Sequence, residues 1–108
     1  MPQTEVEWIQ KLPQNAPEKL WGSIKRLSEM GHELRRPECD YLRDKIYELR
    51  ARLRSTNYRL LYFFHQTRAV VSHGLTKEGE VPTKEIDRAV ANRMLYEQNP
   101  DRHTFNLK

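Results

Sequence analysis

Arg50, Arg52, Arg54 and Arg59 lie in IYELRARLRSTNYRLLYFF, residues 46–64, a stretch that otherwise reads as two β-strands. A guanidinium stays charged at any physiological pH, and its planar fork of donors matches two oxygens of a phosphate. Alternate residues of a strand share a face and stand about 7 Å apart. Arg50, Arg52 and Arg54 are therefore predicted to form a row of cations on one face, with Tyr47, Leu49, Ala51 and Leu53 on the other. Arg59, just past the next turn, joins that row, and His73 with the Lys77 loop borders it. Such a row clamps phosphates. The same spacing also suits solvated strand residues that discourage edge pairing, and spacing leaves both readings open.

The elements that must position these residues belong to a chain of 108 residues, 37% apolar and 31% charged. That length supports one domain, residues 1–108, with residues 1–3 and 101–108 expected to be flexible. The formal charge is +4, and residues 43–59 account for all of it, with Arg43, Lys45, Arg50, Arg52, Arg54 and Arg59 against Asp44 and Glu48. Charge concentrated in this way favours a polyanion, nucleic acid first and an acidic protein second. Cys39 is the only cysteine, which excludes an intrachain disulfide and a cysteine-based zinc site. The four histidines lack metal-ligand spacing, and there is no glycine-rich phosphate loop or nucleophile elbow. No apolar run has membrane-spanning length and the first residues do not read as a signal peptide, so a cytoplasmic protein without a membrane partner is expected.

A capping-box pattern at Thr4 and Glu7 opens a short helix that Pro13 ends, and Asn15 with Pro17 and Glu18 opens a second that Gly31 closes. Leu20, Trp21, Ile24 and Leu27 recur at helical spacing and are predicted to be core, as is Trp8. Residues 31–42 read as irregular. Three strands follow, turning at 55–57 and 65–68, and Thr83 caps a last helix whose apolar face is Ile86, Val90 and Met94. The fold expected is α+β, with the N-terminal helix pair and the C-terminal helix on one face of a three-stranded antiparallel meander and the other face open.

The pieces LRDKIYELRARL, NYRLLYFF, HGLTKE and VPTKEIDRAVANR, in this order and spacing, resemble the phage-derived HigB-like branch of the RelE/HigB toxin superfamily, from residue 6 to about residue 99. The resemblance implies a RelE-like fold and the toxin of a type II toxin–antitoxin system, a metal-independent endoribonuclease (mRNA interferase) that cuts mRNA at the ribosome. It implies no cofactor, and a cognate helix-turn-helix antitoxin as partner. Relatives usually begin with a β-strand that this chain lacks, and a sheet edge left unpaired in this way predicts a homodimer or a partner-dependent fold.

Cleavage in such toxins proceeds by attack of the ribose 2′-hydroxyl on the adjacent phosphate, which needs a base, an acid and cations for the phosphorane. By its position in NYRLLYF, Arg59 matches the arginine that holds the scissile phosphate, and Arg50 matches a basic residue on the same sheet. Arg52, Arg54 and Arg43 are expected to contact the RNA backbone. His73 is the candidate acid or base because imidazole titrates nearest neutrality, although a strand histidine satisfied by hydrogen bonds is an equal reading. Lys77 is the second candidate. The alternative to an enzyme is a non-catalytic remnant of the same fold that binds RNA or an acidic protein.

Overall fold

In the alternating segment 46–53, Leu49 and Ala51 are buried on one side while Glu48, Arg50 and Arg52 lie on the other. In the computed structural model, which describes residues 3–13, 15–76 and 79–99 (side chains from residue 7), that segment is the second strand of an antiparallel sheet. The strands are β1 (Cys39–Arg43), β2 (Ile46–Leu53), β3 (Thr56–His65) and β4 (Arg68–Thr76), hydrogen-bonded in that order. Helices α1 (Gln3–Gln10) and α2 (Ala16–Met30) and a 3-10 turn (Gly31–Glu33) precede the sheet, and α3 (Thr83–Gln98) follows it. The architecture is α+β, compatible with a RelE-like fold. Among the described residues no strand precedes α1.

Two-residue turns join all four strands, since Arg43 pairs with Ile46, Leu53 with Thr56 and His65 with Arg68. Tight hairpins need left-handed backbone in the turn to follow the twist of the strands. Asp44, Lys45, Arg54 and Gln66 supply it, with φ of 51°, 68°, 58° and 58°. Arg54 is thus a turn residue, and the row of strand arginines expected from the sequence ends at Arg52. The hairpin lies at Arg54 and Ser55, one residue earlier than the Ser-Thr-Asn turn that was expected.

Three further expectations are corrected. Residues 39–43 form an edge strand where an irregular segment was expected, because only Cys39 of the five is buried and no apolar alternation marks them. Both faces of the sheet are covered. Ile9, Leu20, Ile24 and Leu27 of the helix pair pack on Leu49, Ala51, Leu60 and Tyr62, whereas Ile86, Ala89 and Tyr96 of α3 pack on Ile46, Leu61, Phe63 and Val70. Successive residues of β3 are apolar on both sides, so each face requires its own cover. The third correction concerns Met94, which is 56% exposed, since Ala89 and Tyr96 rather than Met94 carry the α3 contact.

The ends of the helices follow local chemistry. Gly31, at φ 55°, terminates α2 and returns its N–H to Leu27 O. Asn15 holds the N-cap position of α2 without a side-chain cap bond, and Pro82, not Thr83, precedes the first turn of α3. Trp8 and Trp21 pack against the first core as expected.

Trp8 lies on Gly74 of β4, where a Cβ would stand 2.4 Å from Trp8 Cζ3 and 2.9 Å from Leu60 Cδ2. The indole is packed against the first core and Leu60 is fully buried, so Gly74→Ala should cost about 1–3 kcal/mol through overpacking. In a domain of this size each kcal/mol lowers Tm by roughly 4–8 °C. Thermal unfolding followed by circular dichroism checks this, and an unchanged Tm would show that α1 does not seat on β4 through Trp8.

Candidate nucleic-acid groove

β1 runs alongside β2 only as far as the Cys39–Leu49 pair, after which Arg50 N–H donates to Glu38 O at 2.8 Å and the rest of β2 projects beyond its neighbour. Beside this projection α2 and the β2–β3 hairpin enclose a groove of about 900 Å³. Its helical wall is Lys19, Gly22, Ser23 and Arg26, the i, i+3, i+4, i+7 stripe that one face of a helix presents. Pro37 and Glu38 form one end, and Arg50, Arg52, Asn57, Tyr58 and Arg59 form the sheet side. Five cations line the groove, and Glu38 is the one carboxylate among its lining residues.

Arg50 and Arg59 are directly opposed across β2 and β3. Like charges facing each other in this way destabilise a sheet. The anion that resolves the conflict is Glu48, 1% exposed, two residues before Arg50 and on the same face. Arg50 Nε donates to Glu48 Oε1 at 2.5 Å, and Arg59 Nη1 donates to Glu48 Oε2 at 2.9 Å. Arg50 Nη2 also donates to Asp40 Oδ2 at 3.2 Å, and Asp40 takes two further bonds from Arg36 at 3.0 and 2.7 Å. The hydrogen bonds from Arg36 hold the Asp40 carboxyl below the usual carboxylate range, against the opposing effect of its burial. Arg59 is the least exposed of these cations, with 14% of its side chain accessible and its Nε buried without a hydrogen-bond partner.

Of the residues expected to act together, Arg50, Arg52 and Arg59 do line one groove. Arg52 is exposed and has no acidic partner among the described residues; its Nε donates to Arg54 O at 3.0 Å. Arg54, in the hairpin turn, and Arg43, ion-paired with Asp44 and Asp87, lie outside the lining. Lys77 falls outside the described residues. His73 is fully buried beneath α3. A β-bulge next to Leu61 and Tyr62 brings Ser72 beside it, so that Ser72 Oγ shares a 2.8 Å hydrogen bond with His73 Nδ1 and accepts another from Asn92 Nδ2. Glu85 Oε1 stands 3.5 Å from His73 Nε2, without hydrogen-bond geometry. Burial first, and then the charge of Arg88, holds the imidazole below its ordinary value, with Glu85 opposing.

Sequence reasoning missed Lys19, Ser23 and Arg26 because the apolar stripe of α2 drew attention to the opposite face. It also missed Glu38, which Arg26 grips through bonds of 2.5 and 2.8 Å. Glu48 was readable from its i, i+2 spacing to Arg50, which puts both on one strand face. Among the described residues no cluster of His, Cys, Asp or Glu is placed to hold a metal ion, and no helix is long and apolar enough to cross a membrane.

A family model described as Phage derived protein Gp49-like (DUF891) matches residues 7–94, most of the chain. No curated protein matches it.

The buried imidazole fixes a pH dependence. Its pKa is depressed in the folded state, so the unfolded chain takes up a proton near the ordinary value of about 6.5 while the folded chain resists. The contribution of His73 to stability is full above that value and is lost as pH falls towards the depressed folded pKa. Between about pH 7.5 and 5.5 the Tm of His73→Gln, which cannot titrate, should fall less than that of the parent. Equal slopes would show that His73 is not held neutral.

Proposed function

The chain belongs to the Gp49-like phage-derived family, a family of the RelE/HigB toxin type, and we propose that it is a HigB-like toxin whose groove binds single-stranded mRNA and cleaves it. The observation that carries this reading is the convergence of Lys19, Arg26, Arg50, Arg52 and Arg59 on one groove, with two of the guanidiniums opposed across adjacent strands. Paired guanidiniums suit the phosphorane, whose extra negative charge develops on non-bridging oxygens.

In this mechanism Arg59 and Arg50 bind the scissile phosphate. The 2′-hydroxyl gives its proton to a base and attacks phosphorus, and the 5′ oxygen leaves with a proton from water, yielding a 2′,3′-cyclic phosphate and a free 5′-hydroxyl. Glu38 is the proton acceptor in this reading, because it is the carboxylate within the groove, whereas α3 covers His73. Arg52 and Lys19, which have no acidic partner among the described residues, hold flanking phosphates. The mRNA is met at the ribosome, and a helix-turn-helix antitoxin is the inhibitory partner; both assignments rest on the family.

A second reading is favoured by the internal pairing of Arg26 with Glu38 and of Arg50 and Arg59 with Glu48. Cations already ion-paired in this way suit a module that binds RNA or an acidic protein without cutting.

Primer extension on purified ribosomes separates the two readings. The parent should cut, and Arg59→Lys should cut two to three decades more slowly, a loss of about 3 kcal/mol, because one ammonium cannot reproduce the fork. Lysine keeps a cation beside Glu48, which makes it a gentler change than alanine at this mostly buried position. A parent that binds RNA without cutting supports the second reading, and Arg59→Lys cutting at the parent's rate removes Arg59 from the reaction. Arg52→Ala should still cut, but its RNA affinity should fall less steeply with salt, the log–log slope decreasing by about one.

A further inference from the structure

We propose that Glu48 is a positioning residue, a buried carboxylate that sets the directions of Arg50 and Arg59 so that both guanidiniums meet the same phosphate. The inference rests on the reading of the groove as a site of RNA cleavage and adds to it a residue that touches no substrate.

The geometry gives Glu48 a role that packing alone does not explain. It is 1% exposed and pairs across the sheet with Leu61, in a place where an apolar side chain would bury more simply. Its two oxygens are divided, one to Arg50 Nε and one to Arg59 Nη1. Each arginine is thereby gripped on one side only by Glu48. Asp40 holds Nη2 of Arg50 as well, so Arg50 Nη1 and Arg59 Nη2 are the terminal nitrogens that carry no bond to a described residue. Two donors from two different arginines, Arg50 held through Nε and Nη2 and Arg59 through Nη1, present a preorganised pair to an incoming anion. Such preorganisation accelerates a reaction because the donors need not reorient as charge develops.

The chemistry of Glu48 is specific to the task. The guanidiniums of Arg36, Arg50 and Arg59 against the carboxylates of Glu48 and Asp40 leave a net charge of +1, so the pair is ordered while the cluster stays positive. Glutamine at this position has the same shape but turns an N–H towards one of the arginines, freeing it. Aspartate keeps the charge but is one methylene shorter and cannot reach both partners.

The test uses the full chain and its Glu48→Gln and Glu48→Asp variants, with mRNA on purified ribosomes for cleavage and a short single-stranded DNA, which lacks the attacking hydroxyl, for affinity. Single-turnover cleavage should slow by about 100-fold in Glu48→Gln and by about tenfold in Glu48→Asp, while affinity for the DNA changes less than about threefold. The Nη signals of Arg50 and Arg59 in nitrogen-15 NMR should be resolved in the parent and averaged in Glu48→Gln. Unchanged cleavage in both variants overturns the proposal. So does a parallel loss of rate, affinity and Tm, which marks a residue that only holds the fold. Should Glu48→Gln fail to fold, Glu48→Asp alone decides by the same comparison. A parent that neither cuts nor binds overturns the reading of the groove itself, and the NMR signals then decide alone whether Glu48 locks the pair.

Discussion

The register of the β2–β3 hairpin is the constraint on which the site and much of the fold depend. Once the two-residue turn sets Leu53 against Thr56, every pair behind it is fixed, and Arg50 must face Arg59. A slip of one residue would carry each side chain to the opposite face. Leu49 and Leu60 would then leave the helix pair, and the arginines would be driven into the core. Apolar burial on the α1–α2 face and charge placement on the other are therefore a single choice. Glu48 makes that choice tolerable by standing between the two cations it creates.

The second face of the sheet is divided along its length. Near Ile46, Phe63 and Val70 it is apolar and α3 covers it. Towards Arg50, Arg52 and Arg59 it carries cations, which line the groove between α2 and the β2–β3 hairpin. Glu48, paired with Leu61, stands where one half gives way to the other. The boundary explains how a carboxylate can be almost wholly buried and yet grip two groove-lining side chains. It also explains why His73, opposite Leu61 on the next strand, is enclosed by α3 with Ser72 and Asn92 as partners.

Most of the fold could be read from local patterns, because residues 46–54 alternate, residues 60–64 form an unbroken apolar run and the helices carry apolar stripes with glycine or proline at their ends. The edge strand Cys39–Arg43 escaped because edge strands are short and charged, which is how sheets avoid aggregation. The cover on the second face escaped because the apolar stripe of α3, with Ile86 and Val90 in it, says that the helix packs on the sheet but not on which face. Within the site, the arginines of the sheet were visible by spacing, whereas the α2 wall and Glu38 depend on a tertiary approach that no local period encodes. Arg54 was misplaced because a left-handed turn there needs no glycine, and its neighbours alternate as a strand does up to the turn itself.

The central claim is that this groove, and no other surface, receives RNA. A titration of the nitrogen-15-labelled chain with a short DNA analogue of an mRNA segment, followed by amide and guanidinium NMR, tests it most directly. Shifts should concentrate on Lys19, Gly22, Arg26, Arg50, Arg52 and Arg59, and weaken together as salt is raised. Shifts confined to α3 or to the β1 edge, or none at ligand concentrations well above a typical non-specific Kd of about 0.1 mM, would contradict the account.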